Sequence, residues 1–182
     1  MFGPILDGAR VRLTPATPDM LPAFCRWFAD PDVTRYMTLH YPPSPSMEQE
    51  WFDQTGRSET DVHWAVVLPD QADKLIGAVG IHAISWRNRR AVTGTVFGDK
   101  SEWGKGYASE AIRLRTEWAF GQMGLEKLTT KVFVENVASR RALEKAGYRT
   151  VGIARRDEWW GGKWHDLWLG EVLRDEWQQQ GR

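Results

Sequence analysis

The sequence is poor in cysteine, in charge imbalance, in long apolar runs and in clustered metal ligands, and each shortage removes a class of function. Cys25 is the only cysteine, which excludes an internal disulfide. Its place beside Phe24 and near Phe28 reads as a core thiol rather than a nucleophile. Lys and Arg number 24 and Asp and Glu number 24, for a net charge of +0. Such a chain has no overall field for nucleic acid, so any anion site must be built locally. No apolar run approaches the ~20 residues of a membrane span, and no basic-then-apolar leader opens the sequence. A cytoplasmic protein with neither nucleic-acid nor membrane partner is therefore expected. His40, His63, His82 and His165 stand far apart without ligand spacing, so no metal is expected. No Gly-x-Ser-x-Gly elbow is present.

Hydrophobic residues at 42% and charged residues at 26% over 182 positions suit one compact domain, spanning 1–182 with its core at about 10–177. Tryptophan is abundant, at 11 residues. Trp159, Trp160, Trp164 and Trp168 gather near the C-terminus, where packing is the first expectation and a substrate mouth the second. This tryptophan-rich stretch also suits a homodimer contact.

Arg10 to Thr14 alternates as a strand, and Thr17-Pro18-Asp19 opens a helix carrying Leu21, Phe24, Cys25 and Phe28 on one stripe. Ser46 and Gln49 match a capping box for a helix through Trp51 and Phe52. His63 to Leu68, Leu75 to Ser85 and Ala91 to Phe97 read as strands. A helix follows Gly106, and Leu128 to Val134 is a further strand. Asn136 opens a short helix that Gly147 terminates. Arg149 to Trp160 and Trp164 to Leu173 form a hairpin about Gly161-Gly162.

The chemistry concentrates where a strand leads through Gly104-Lys105-Gly106 into a helix. Two glycines let the backbone approach a ligand, and the helix adds unpaired N–H groups and the positive end of its dipole. Together they suit a phosphate or pyrophosphate. Two familiar nucleotide loops do not fit. A Walker loop needs Ser or Thr where Gly106 stands, with its first glycine one residue later than Gly98. A dinucleotide fingerprint needs Gly or Ala where Ser109 stands. Lys105 adds a cation at the rim, and Glu102 reads as a solvated charge.

The block from Trp103 to Ala111, with Asn136-Val137-Ala138-Ser139 and Glu144-Lys145-Ala146-Gly147-Tyr148 downstream, resembles the two signatures of the GNAT superfamily of N-acetyltransferases. Leu13 to Ala16 before a helix, Asp166 after the Gly161-Gly162 turn and Glu176-Trp177 extend the likeness over nearly the whole chain, closest to the RimJ/RimL branch.

This resemblance implies an α+β fold: a mixed, mostly antiparallel sheet of six or seven strands, flanked by helices and splayed between the fourth and fifth. Those are Ala91 to Phe97 and Leu128 to Val134. It implies acetyl-CoA as co-substrate, held by the backbone of Phe97, Gly98 and Asp99 and by Trp103, Gly104, Lys105, Gly106, Tyr107 and Ala108. Asn136 and Ser139 come to the thioester. Asp166 is implied as a contact of the amine acceptor, a peptide N-terminal α-amine in that branch. Small amines such as polyamines, amino acids or aminoglycosides are the alternative acceptors. A binding module without turnover is a further reading.

Three positions depart from the wider superfamily. Ser101 stands where Gln or Arg is common, Leu143 where a proton-donating Tyr is common, and Thr93 where a Glu base is common. Ser139 is then the nominee to protonate the leaving thiolate, against the plainer roles of pantetheine contact or helix cap.

Overall fold

The computed structural model describes residues 1–179. Eight strands form one sheet: β1 (Leu6–Asp7), β2 (Arg12–Thr14), β3 (Val62–Leu68), β4 (Lys74–Ser85), β5 (Arg90–Phe97), β6 (Lys127–Phe133), β7 (Arg149–Trp160) and β8 (Lys163–Leu173), in the order β1-β2-β3-β4-β5-β6-β8-β7. The count exceeds the expected six or seven because a two-residue β1 folds back on β2, pairing Leu6 with Leu13. The strands expected to part are thus the fifth and sixth. Among the described residues there are also six α-helices: α1 (Leu21–Phe28), α2 (Pro31–Thr34), α3 (Pro45–Arg57), α4 (Tyr107–Gly121), α5 (Val137–Lys145) and α6 (Arg174–Gln179).

Alternation along β3 explains the layering. Val62, Trp64, Val66 and Leu68 join Val79 and Ile81 of β4 and Ala111, Ile112 and Ala119 of α4 in the main core. His63 points the other way and meets Trp51 of α3 at 5.1 Å between ring centroids. Core Trp64, Trp168 and Trp177 are all nearly inaccessible. Of the C-terminal tryptophan group only Trp168 is core, while Trp159 and Trp164 are more than half exposed and stack edge-on at 5.3 Å.

Two local expectations shift. The α3 cap is Ser44, whose Oγ accepts from Met47 N at 3.3 Å, because Pro45 fills the first helical position and pushes the cap upstream of Ser46. Gln49 donates instead to Asp53 at 3.0 Å. Cys25 is only partly buried, and its thiol pKa is pushed up, first by desolvation and then by the charge of Glu48, which disfavours the thiolate.

All neighbouring strands are antiparallel except β5 and β6, which are parallel and pair over only three positions, Arg90 to Val92 against Lys127 to Thr129. Beyond them the strands separate toward Phe97 and Phe133. Threonines bridge the fork: Thr129 Oγ1 donates to Ala91 O at 3.2 Å, Thr93 Oγ1 to Thr129 O at 3.2 Å and Thr130 Oγ1 to Thr93 O at 3.3 Å.

Candidate active site

The fork between β5 and β6 opens toward the C-terminal ends of both strands, and each end runs into the N-terminus of a helix. At the end of β5, Gly104 and Gly106 hold φ of +76° and +88°, values that side chains disfavour. A Cβ at Gly104 would meet nothing within 4 Å, and one at Gly106 would meet Arg10 Nη2 at 3.4 Å, so the loop's outer face is open. The N–H groups of Gly106, Tyr107 and Ala108 lie in the first turn of α4, where no intrahelical acceptor exists. Arg10 braces the loop, donating from Nη1 to Lys105 O at 3.0 Å and from Nε to Glu110 Oε2 at 3.0 Å.

Glu102 is not a solvated charge. It is 6% exposed, with Lys74 Nζ at 2.8 Å on one oxygen and Lys105 Nζ at 2.8 Å on the other. These lysines hold its carboxyl below the ordinary value, Lys105 first. Lys105 is thereby folded back onto Glu102 and leaves anion recognition at the loop to backbone N–H groups. Lys74 also pairs with Asp99 at 2.8 Å.

Phe97, Gly98 and Asp99 occupy the end of β5, as the sequence places them. The Phe97 carbonyl accepts from Trp103 Nε1 at 2.8 Å, and the Gly98 and Asp99 N–H groups donate to Ile76 O at 3.1 and 3.3 Å. Gly98 is also a close-approach position, since a Cβ there would fall 1.8 Å from the Trp27 ring.

Behind the fork lies Arg115 of α4, with 0% exposure and no carboxylate partner among the described residues. Nη1 donates to Gly94 O at 2.8 Å and Thr95 Oγ1 at 3.1 Å, and Nη2 to Tyr148 Oη at 3.2 Å. Tyr148 and Thr93 hydroxyls are 3.2 Å apart. A guanidinium only donates and a carbonyl only accepts, so the chain has one direction: Arg115 to Tyr148 to Thr93 to Thr129 O.

At the end of β6, Asn136 caps α5 by accepting from Ser139 N at 3.2 Å. The cap is therefore Asn136. The Ser139 hydroxyl, half-buried, makes no hydrogen bond among the described residues. Leu143 is core, 3% exposed.

Beside Asn136 is a cavity of about 340 Å³ walled by Arg35, Tyr36, Glu135, Trp160, Lys163 and His165. His165 is 8% exposed, with Nδ1 2.9 Å from Glu135 Oε1 and Nε2 3.2 Å from Trp160 O. The Glu135 carboxyl is held below its ordinary value, first by its own backbone N–H, then by His165 and the charge of Lys163. Asp166 is elsewhere. Strand alternation turns it from this wall, and its Oδ1 accepts from Arg156 N at 2.8 Å, where Arg156 has φ +50° in a β7 bulge. Glu135 carried no sequence signal beyond adjacency to Asn136. His165 stands out in the sequence only as one of four dispersed histidines.

No group of His, Cys, Asp or Glu suited to a metal occurs among the described residues, and no described helix is long and apolar enough to cross a membrane.

Residues 10–149 match the family described as acetyltransferase (GNAT) domain. This chain belongs to the GNAT acetyltransferase family. YoaA of Bacillus subtilis (strain 168), named as an uncharacterized N-acetyltransferase, is 30% identical over 176 residues, covering 94% of this chain and 97% of that protein. Among solved structures, a spermidine N-acetyltransferase from Vibrio cholerae in complex with CoA and spermine superposes with TM-score 0.86 at 18% identity, covering 94% and 99% of the two chains. RimL, a ribosomal L7/L12 alpha-N-protein acetyltransferase in complex with coenzyme A, gives 0.84 at 16% identity, covering 94% and 99%. At such identities these two share the GNAT fold with this chain, and one acts on a small amine, the other on a protein terminus. The GNAT domain described above is thus an acyltransferase, with its parallel pair at β5 and β6.

Proposed function

We propose that this enzyme transfers an acetyl group from acetyl-CoA to a protein or peptide N-terminal α-amine. The observation that carries the reading is the fork of β5 and β6, with the open loop of Gly104 and Gly106 at one prong and Asn136 with Ser139 at the other. The loop fits a pyrophosphate: the first N–H groups of α4 have no intrahelical acceptor, its outer face is unobstructed, and the α4 dipole favours an anion there. Trp103, Gly104, Lys105, Gly106, Tyr107 and Ala108 would hold the phosphates, chiefly by backbone, with Phe97, Gly98 and Asp99 beside the pantetheine.

Acetyl-CoA, when bound, supplies the activated acyl group. Asn136 and Ser139 then sit where the thioester would lie, and Ser139, free of capping duty, has a hydroxyl to give to the departing sulfur. The amine attacks directly. Thr93 is no base, being committed to Thr129 O, so the acceptor must shed its proton to water or to another group. An α-amine has a pKa near ~7.8 against ~10.4 for a lysine-type amine, about 3.5 kcal/mol easier to present as free base at neutral pH. That difference favours α-amines over polyamines.

Gly106→Val and Gly106→Asn test the coenzyme site by calorimetry on folded protein. Asparagine tolerates positive φ and valine does not, so the pair separates backbone strain from obstruction. Both should weaken acetyl-CoA binding by roughly tenfold or more, since each fills the space the phosphates approach. Undiminished affinity in Gly106→Asn would place the phosphates elsewhere.

A further inference from the structure

The cavity beside Asn136 is bipolar, and its polarity says what kind of amine it takes. The β7–β8 hairpin closes through Gly161 and Gly162, both at positive φ, which sets Trp160 directly across from Lys163 and Glu158 across from His165. Alternation then sends Trp160, Lys163 and His165 to one face of the hairpin, and Trp159 and Trp164 to the other. The first face looks onto Glu135 and onto Arg35 and Tyr36 just after α2, and these line an open cavity.

Its lining is anionic. Glu135 has one oxygen anchored by buried His165, which fixes the carboxylate while leaving it 44% exposed. The same lining is also cationic. Lys163 is near enough to Glu135 to act on its charge, yet makes no ion pair within 4 Å among the described residues. Arg35 stands at the rim, already tied to Asp32 at 2.7 Å. Tyr36 and Trp160 supply the apolar sides. A polyamine would satisfy Glu135 and then press its remaining ammonium groups against Lys163 and Arg35. An α-ammonium with a carboxylate a few bonds away matches both charges.

We infer that the acceptor is an α-amine carrying a nearby carboxylate, its ammonium received by Glu135 and its carboxylate by Lys163. The carboxylate can come from a free amino acid or from an acidic first residue of a peptide. This rests on the acetyl-transfer reading above and narrows its acceptor.

Initial rates with acetyl-CoA on five acceptors test it: serine, serinamide, amidated pentapeptides beginning with Asp or with Lys, and spermidine. A carboxylate-bearing member should exceed its matched partner in kcat/KM by roughly tenfold, mostly through KM. Serine over serinamide assigns the free amino acid, and Asp over Lys assigns the peptide. Lys163→Glu, an exposed change at the hairpin tip, should abolish that preference and raise spermidine turnover. Lys163→Arg should retain it. A preference untouched by Lys163→Glu, or none between the matched partners, overturns the inference while α-amine transfer stands, whereas spermidine as the fastest acceptor of the unaltered enzyme overturns both. Inert α-amines beside calorimetrically bound acetyl-CoA overturn the transfer reading and this inference with it.

Discussion

Thr93 shows how much one hydroxyl can decide. It receives a hydrogen bond from Tyr148, gives one to Thr129 O, and so serves the fork as a clasp. Ser139 is the contrasting case, since the cap that could have occupied it belongs to Asn136. Ser139→Ala should therefore lower kcat more than it weakens coenzyme binding, by about tenfold or more if its proton goes to the sulfur. Parallel loss of binding with unchanged kcat at saturation would make it a pantetheine contact. A tyrosine at Leu143 is a poor rescue, because that position starts in the core and a phenol there must displace packed neighbours. Asn136 as the opener of a helix is legible in the sequence, whereas a role for Asn136 and Ser139 at a thioester rests on the family resemblance. The commitment of Thr93 is not legible, because its partners lie 36 and 55 positions away.

Between β5 and α4, a turn from Asp99 to Gly106 depends on charges that meet only in three dimensions. Lys74, at the start of β4, crosses to Asp99 and Glu102, and Lys105 closes on Glu102 from the other side. Because the Glu102 carboxyl is lower in the folded protein than its ordinary value, its contribution is complete above the ordinary carboxylate range and is lost as pH falls through the depressed value. The loop is thus fully braced at pH 7 and loosens on acidification. Glu102→Gln should lower the melting temperature at pH 7 and flatten the acid limb of a melting-temperature profile. An unchanged profile would show that the brace contributes nothing. Gly-x-Gly before a helix was readable in one dimension. The brace was not, since Lys74 is 28 positions from Glu102, and the same distance effect hid His165 from Glu135.

Across the whole molecule, the strand and helix order was readable because periodicity and turn residues are local properties. The register of β5 on β6 was not, since side chains from α4, from the turn before β7 and from β6 converge at the fork. The hairpin tip extends past that fork and carries Trp159 and Trp164 outward, each more than half exposed. That apolar pair suits a second copy of the chain. Sedimentation should show a dimer that Trp159→Ser with Trp164→Ser converts to monomer without loss of fold, and a monomer at all concentrations would assign the pair to solvent.

The fork itself has a consequence for handling the protein. A sheet normally keeps its unpaired backbone groups at its two margins, where charges or covering helices guard them. This sheet also has a margin in its middle, on the facing sides of β5 and β6, because only three residue pairs close the gap. An extended ligand entering there behaves as one more strand and satisfies backbone groups from both sides. Protein supplied with acetyl-CoA should accordingly resist aggregation on warming better than the protein alone, and its shelf life should follow the occupancy of that inner margin.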